Sequence, residues 1–459
     1  MGRVLPGGYI LSASEVVGWL RGHPEVSSLR AAIFDLNGIP RGKRIPAAQA
    51  AKVLQGDLRM PVSIAGIDIW GEDIVGGRLV FETGDADGIC AWTGRGPLPI
   101  EWTPRPTAFI PLWMATEDGS PFPGDPRRAL AAIAGRYAAR GLTPVVATEL
   151  EFYLVDPSGD RPQAPISPVS GKVLDSDSVL AIRELDHFHR FLDDIYAACA
   201  AQDIPADSAI AENGPGQFEI NLVHVADPLK AADDAMLFKD VVRGIARKHG
   251  FAATFMAKPY GERAGSGLHV HFSLVDGTGR NVFDDGTDRG SDMMRHAVGG
   301  LLAMMPESTL LFAPHMNSFR RLRPGMHAPA AAAWGYENRT TAIRIPGGSP
   351  KARRIEHRVA GADANPYLVL AAILGAALEG IEARMEPAEP IVGNAYSRDL
   401  PDIPPDWASA VDAFEDGLAI PKIFSRTLQQ MMVDCKRQEM EAFSERVTTF
   451  EYQTYLETV

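Results

Sequence analysis

The run ATELEFYLV, from Ala147 to Val155, places two carboxylates two residues apart among large apolar side chains. In a strand, residues two apart share a face. Glu149, Glu151 and Tyr153 then lie on one face, and Leu150, Phe152 and Leu154 on the other. The apolar face can pack on a core. The acidic face needs water, cationic partners or a metal, because an unpaired buried carboxylate is costly. A half-exposed strand with a wet face would satisfy this run taken alone. The same alternation recurs elsewhere. GPGQFEINL sets Gln217, Glu219 and Asn221 against Phe218, Ile220 and Leu222. GSGLHVHFSL sets His269, His271 and Ser273 against Leu268, Val270, Phe272 and Leu274. RRIEHRVA puts Arg354, Glu356 and Arg358 on one face, and TTAIRIP holds Arg344 between Ile343 and Ile345. A plain solvent-facing sheet would favour Thr, Lys and Ser at these positions. If the strands share a sheet, Glu149, Glu151, Glu212, Glu219, Glu356 and His269 could hold hard divalent cations such as Mg²⁺ or Mn²⁺. Arg321, Arg339, Arg344, Arg354 and Arg358 would suit phosphate or carboxylate. Together these residue types point to phosphoryl transfer between anionic substrates. Each piece also has a plainer reading: His271 as a satisfied core histidine, Arg344 as a structural ion pair, Gly265–Gly267 as an ordinary turn. No Walker A or GxGxxG pattern precedes a helix, which disfavours a P-loop kinase or a dehydrogenase.

The elements that must position these residues can be sketched from pattern. With 459 residues the chain has length for two to four domains. The first 120 residues or so are rich in Gly and Pro and read as short strands. Within them LRAAIFDLNGIPRGKRIP reads as a hairpin turning at Asn37-Gly38. Asp125 to Gly141 has helical spacing with Gly141 as a stop signal, and a domain boundary falls near there. Beyond it strands alternate with helices. Helical patterns cover Leu180 to Gln202, Ala231 to Lys248, Ser291 to Met305, Pro366 to Met385 and about Asp434 to Val459. Glu386 to Asp406, Pro-rich and polar, reads as a loop. The net charge of −13 argues against nucleic acid or an anionic membrane as partner. Cys90, Cys199 and Cys435 are too scattered for a disulfide framework or a cysteine zinc site, and Cys435 has no nucleophile context. The N-terminus lacks the basic, apolar and cleavage-site order of a signal peptide, and no run of about eighteen uninterrupted apolar residues occurs. A cytoplasmic location is therefore expected.

Six segments, in order, resemble the motifs of bacterial type I glutamine synthetases: ELEFYL, AENGPGQFEINL, KPYGERAGSGLHVHFSL, NSFRRLRPG, NRTTAIRIP and RRIEHRVAGADANPYL. The resemblance covers nearly the whole chain and is strong from about Asp125. It implies an α+β fold: an N-terminal β-grasp domain over residues 1–122, and a glutamine synthetase catalytic domain over 123–459 with a curved antiparallel sheet and surrounding helices. It also implies hexameric rings, usually stacked as dodecamers, with active sites between neighbouring subunits. ATP phosphorylates the γ-carboxylate of L-glutamate, and an amine then attacks the acyl phosphate. By motif position, Glu151, Glu212 and Glu219 resemble ligands of one divalent ion, and Glu149, His269 and Glu356 ligands of a second, in a site of two or three ions. Arg339 and Arg344 match phosphate contacts. Arg321 and Arg358 match residues that hold the glutamate carboxylates, and Gly265 a backbone contact to glutamate. His271, Ser273, Lys351 and Arg354 match positions around the nucleotide.

The departures from the family pattern gather at the nucleophile. Where ammonia-using enzymes carry an acidic flap residue in PG-Y-E-A-P, this chain reads PGMHAP, so His327 replaces the glutamate. Asp68, in IAGIDIWGEDI, is the counterpart of the aspartate that attracts ammonium, but the neighbouring serines are gone and Trp70 is new. Ala264 stands where the family has Asn before the glutamate-binding Gly. NAYSRDLP resembles the adenylylation loop only loosely, with Tyr396 at an altered spacing. A site that keeps the ATP, metal and glutamate machinery but alters the amine pocket resembles the γ-glutamylpolyamine and γ-glutamylalkylamide synthetase branch. The expected activity is an ATP-dependent ligase joining L-glutamate to putrescine, another polyamine or a small alkylamine. Asp68 and Glu212 would attract the ammonium group, and His327 or Glu212 would take its proton. Three rivals stand beside it: an ordinary glutamine synthetase using ammonia, a non-catalytic scaffold of the same fold, and a guanidino kinase.

Overall fold

The computed structural model describes residues 11–459 except 82, 160, 176, 324 and 327. It is an α+β protein with two curved sheets. The smaller sheet has six strands: β1 Ser28–Phe34, β2 Pro40–Pro46, β3 Leu58–Pro61, β4 Asp87–Trp92, β5 Leu98–Ile100 and β6 Thr107–Ala115. Its order is β2-β1-β6-β4-β3, with β5 on β6, and only the β1–β6 pair is parallel. The expected hairpin forms here as β1 and β2, with Gly38 in the left-handed conformation that an Asn-Gly turn supplies.

The larger sheet has eight strands: β7 Leu142–Val155, β8 Ala206–Ala211, β9 Gln217–Val225, β10 Ala252–Thr254, β11 Leu268–Asp276, β12 Trp334–Tyr336, β13 Ile343–Ile345 and β14 Ile355–His357. The order is β12-β13-β14-β11-β7-β9-β8, with β10 beside β7, and every pair but β12–β13 is antiparallel. Leu150, Phe152, Leu154, Phe218, Ile220, Leu268, Val270 and Phe272 are fully or almost fully buried. They pack with the helices Pro228–Lys248 and His189–Ala201 into the main core. One face of the sheet is therefore fixed by apolar burial, and the strand period forces the Glu, His and Arg side chains to the other.

The expected helices form, with adjusted ends. Asp125 caps Pro126–Ala138 through the Arg127 and Arg128 amides. The 180–202 pattern is broken into Ile182–Asp186 and His189–Ala201, and the C-terminal pattern into Arg426–Ser444 and Thr449–Tyr455. Asp292–Phe312 runs about two turns past Met305 and holds Pro306 inside it. Pro366–Ala383 is apolar and long enough to cross a membrane by composition, yet it is buried almost throughout against Asp292–Phe312 and Pro126–Ala138. It is a core helix.

The Arg426–Ser444 helix packs back on the β1–β2 turn. Lys436 and Glu439, both fully buried, pair at 2.8 Å. Glu439 Oε1 accepts from Asn37 Nδ2 at 3.1 Å and from the Ile69 amide at 2.9 Å.

Candidate active site

Register brings the acidic and imidazole residues together. Glu149 lies opposite His269 on β11 and opposite Asn221 on β9, while Glu151 lies opposite Glu219. On the far side of β11, His271 is opposite Glu356, and Glu356 is opposite Arg344. Two overlapping groups of candidate ligand atoms result, each within 4.8 Å: Glu149, His269 and Glu356, and Glu151, Glu219 and His269. Glu212 follows β8 and lies close enough for the charges of Glu151 and Glu149 to act on it.

Electrostatics divide the cluster. Burial, then the charges of Glu149, Glu151 and Glu212, push the Glu219 carboxyl up to about 10. Burial, then Glu151 and Glu149, push Glu212 up to about 7. Burial also favours the neutral form of Glu149, but hydrogen bonds from His269 and His271 outweigh it and hold that carboxyl well below the usual range. For Glu356, burial is outweighed by Arg358, His271 and His269, and its carboxyl sits at about 2. Four clustered carboxyl groups therefore divide into two held ionised and two forced toward neutrality. Divalent cations would let all four ionise, and this oxygen-rich donor set with one imidazole fits them.

Hydrogen bonds set the tautomers. His269 Nδ1 lies 3.2 Å from Glu149 Oε2, so its proton points at the carboxylate and Nε2 is left with a lone pair. Arg354 Nε, which can only donate, donates to His271 Nδ1 at 3.2 Å. His271 Nε2 therefore carries the proton and donates to Glu149 Oε1 at 2.9 Å.

Arginines surround this centre. Glu356 takes Arg344 at 2.8 Å on one oxygen and Arg358 on the other. Arg344 Nε and Arg358 Nε are buried with no hydrogen-bond partner among the described residues. Arg339 is exposed, and its charge opposes the rise at Glu212. Arg321 is buried and donates to the carbonyls of Val359 at 2.7 Å and Arg358 at 3.4 Å. Its guanidinium fills the space beside the GSG turn: a Cβ on Gly265 would lie 2.5 Å from the Ala257 carbonyl, and one on Gly267 2.8 Å from Arg321 Nη2. Gly265 is required for room, because the atom a Cβ would meet is backbone, while at Gly267 a Cβ would displace the Arg321 guanidinium.

Beyond His271 the polar face opens into a cavity of about 760 Å³. Ser273, Lys351 and Arg354 line it, together with His224, Asn281 and Arg353, which the sequence pattern did not single out. His224 falls on the same face as Asn221 only after the strand's regular pairing shifts, so alternation alone did not mark it. Burial, then His271 and Arg354, depress its imidazole to about 4.

One expected residue, Asp68, forms no hydrogen bond to this centre among the described residues of the chain. Asp68 is buried in the segment that follows β3, where its carboxylate accepts from the Trp70 and Glu72 amides and from Gln438 Nε2, at 3.0, 2.9 and 2.8 Å. No member of the acidic cluster is among its hydrogen-bond partners. His327 lies outside the described residues.

The fold and the site define a class: a two-sheet α+β enzyme whose acidic, imidazole and guanidinium side chains converge beside a cavity lined by Lys351, Arg353 and Arg354. Residues 123–455 match the glutamine synthetase catalytic domain, and the chain belongs to that family. It is 38% identical to the γ-glutamylputrescine synthetase PuuA of Escherichia coli K12 over 96% of this chain and 94% of that one. It is 36% identical to the γ-glutamylethanolamide synthetase GlnA4 of Streptomyces coelicolor (75% and 74%), and 30% to a glutamate–isopropylamine ligase of a Pseudomonas species (95% and 96%). Among solved structures, ligand-free GmaS superposes with a TM-score of 0.82 at 27% identity, covering 96% of this chain and 99% of that one.

Proposed function

We propose that the protein is an ATP-dependent ligase that joins the γ-carboxylate of L-glutamate to a primary amine, putrescine or a small alkylamine. The observation that carries this reading is the convergence of Glu149, Glu151, Glu219, His269 and Glu356 on one sheet face, with Glu212 within reach of their charge, in a chain whose relatives are named as γ-glutamyl amide synthetases. Glu149, His269 and Glu356, and Glu151, Glu212 and Glu219, would hold Mg²⁺ or Mn²⁺. Bound there, the cations draw charge from the transferring phosphoryl group.

The chain's own residues do the rest. Ser273, Lys351, Arg354 and His271 seat the nucleotide in the cavity. Arg339 and Arg344 hold the phosphate oxygens, with the free Arg344 Nε as one donor. Arg321, Arg358 and the backbone at Gly265 seat glutamate. Its γ-carboxylate oxygen takes the terminal phosphoryl group, and ADP leaves. The amine nitrogen then attacks the acyl carbon, phosphate departs, and Glu212 or His327 accepts the proton. Asp68, bonded to Trp70, Glu72 and Gln438 in its own chain, would reach the amine from a neighbouring copy in a cytoplasmic ring assembly, a hexamer or dodecamer. Residues 1–122 would form the unit that carries it, and 123–459 the catalytic unit.

The test is a steady-state panel of ammonium, methylamine, ethanolamine, isopropylamine and putrescine with ATP and glutamate. At least one amine is expected to exceed ammonium in kcat/KM by 10-fold or more, about 1.4 kcal/mol in transition-state binding. Ammonium exceeding every amine would make the protein a glutamine synthetase, the activity named for a relative from Pyrococcus abyssi.

A further inference from the structure

Gln217, at the start of β9, is 2% exposed and sits where three walls of the site meet. Its side-chain amide has two donors and an acceptor oxygen. Nε2 donates to the Gly265 carbonyl at 3.0 Å and to Glu151 Oε2 at 3.4 Å. Oε1 accepts from the Gly214 amide at 3.0 Å, and the backbone carbonyl accepts from the Glu212 amide at 2.9 Å. Glu151 Oε2 is further held by the Gly267 amide at 2.9 Å.

We infer that Gln217 is a positioning residue that ties the cation-binding carboxylate Glu151 to the glutamate-binding turn at Gly265. Through Oε1 and its backbone it also fixes the Gly214 turn behind Glu212. Two donors on Glu151 Oε2 orient that carboxylate and leave Oε1 for a cation. The same Nε2 sets where the Gly265 carbonyl points. A change at either site is therefore felt at the other through one amide. A hydrocarbon of the same length would fill the space but leave the Gly265 carbonyl and the Gly214 amide unpaired.

This inference rests on the proposed function for the glutamate role alone, because cation binding is measured separately. Gln217→Met keeps the length and removes all three side-chain hydrogen bonds. Gln217→Asn keeps the amide but withdraws it by one methylene, about 1.5 Å, so that it cannot span the partners. Mn²⁺ binding to the purified, substrate-free protein is read from the electron paramagnetic resonance of free Mn²⁺, alongside KM for glutamate, ATP and amine. Each variant is expected to weaken Mn²⁺ binding and raise KM for glutamate by 10-fold or so, with KM for ATP within twofold of the parent. A purely structural role would lower the melting temperature and kcat while leaving those two constants in place, and that result would overturn the inference. Should the parent turn over no amine or ammonium at all, the proposed function fails, while the Mn²⁺ titration still decides whether Gln217 orients the cation site. Mn²⁺ affinities equal in parent and both variants would end it.

Discussion

Glu356 is the residue where the competing forces at this site are most visible. It is 1% exposed, faces His271 across β11, and is shared between Arg344 and Arg358. Arg358, His271 and His269 keep it ionised against the cost of burial, so its oxygens remain anionic donors at neutral pH. Glu356→Ala removes that charge and leaves two buried guanidinium groups facing each other. Turnover is expected to fall at least about 100-fold, the upper range for loss of a supporting group at a metal site. A kcat near that of the parent would remove Glu356 from the cation site. At the opposite end of the reaction, the histidine in PGMHAP was legible only as a departure from a family pattern. His327→Glu should raise kcat/KM for ammonium relative to putrescine, and an unchanged ratio would leave the flap without a part in selectivity. Individual identities were readable here because Glu, His and Arg are out of place on an ordinary strand face. Gln217 was not readable in this way, because an amide on a strand face is unremarkable until its partners are known.

At the scale of elements, alternation marked which face of β7, β9, β11 and β14 is polar. It did not reveal pairing, and pairing decides which residues meet. Glu149 meets His269 because β11 is antiparallel to β7 in one particular register. A slip of one residue would reverse both faces. The helix boundaries missed by the pattern lie at 187–188 and 445–448, the latter an exposed stretch where Thr448 and Glu451 form a capping box that starts the next helix. Strand β14 carries a second consequence of burial. His357 points away from Glu356, fully enclosed, with its ring 4.5 Å from Phe312 and Nδ1 unpaired among the described residues. Burial, then the charge of His269, depresses its imidazole to about 3 from an ordinary 6.5. The unfolded chain therefore binds a proton that the folded chain refuses as pH falls below about 6.5. Stability is lost from there down toward pH 3, by about 3 kcal/mol at pH 4 from this residue alone. His357→Leu should flatten that acid limb in urea unfolding between pH 4 and 8. Parallel limbs in variant and parent would mean that His357 is protonated without penalty.

At the scale of the whole molecule, Asp68 has no hydrogen bond to the acidic cluster among the described residues, which would constrain how copies associate if both serve one reaction. The smaller sheet, the β1–β2 turn and the Arg426–Ser444 helix are tied together by Lys436, Glu439, Asn37 and Asn365. The Asp68 turn is fixed in that frame by Gln438, so it cannot swing to Glu212 without breaking these bonds. If both residues serve one reaction, they come from different chains, as a head-to-tail ring would arrange. Asp68→Asn and Glu356→Ala should each be inactive as pure assemblies. Co-expressed in equal amounts, they are expected to form mixed assemblies. A shared site then needs an intact Asp68 from one chain and an intact Glu356 from its neighbour, which random mixing in a closed ring supplies at about one site in four. Activity near a quarter of the parent would place the amine site between subunits. Complete inactivity of mixed assemblies, with mixing verified by differently tagged chains, would require both residues to act from one chain, and Asp68 would then have no part in the amine site that the fixed turn around it allows.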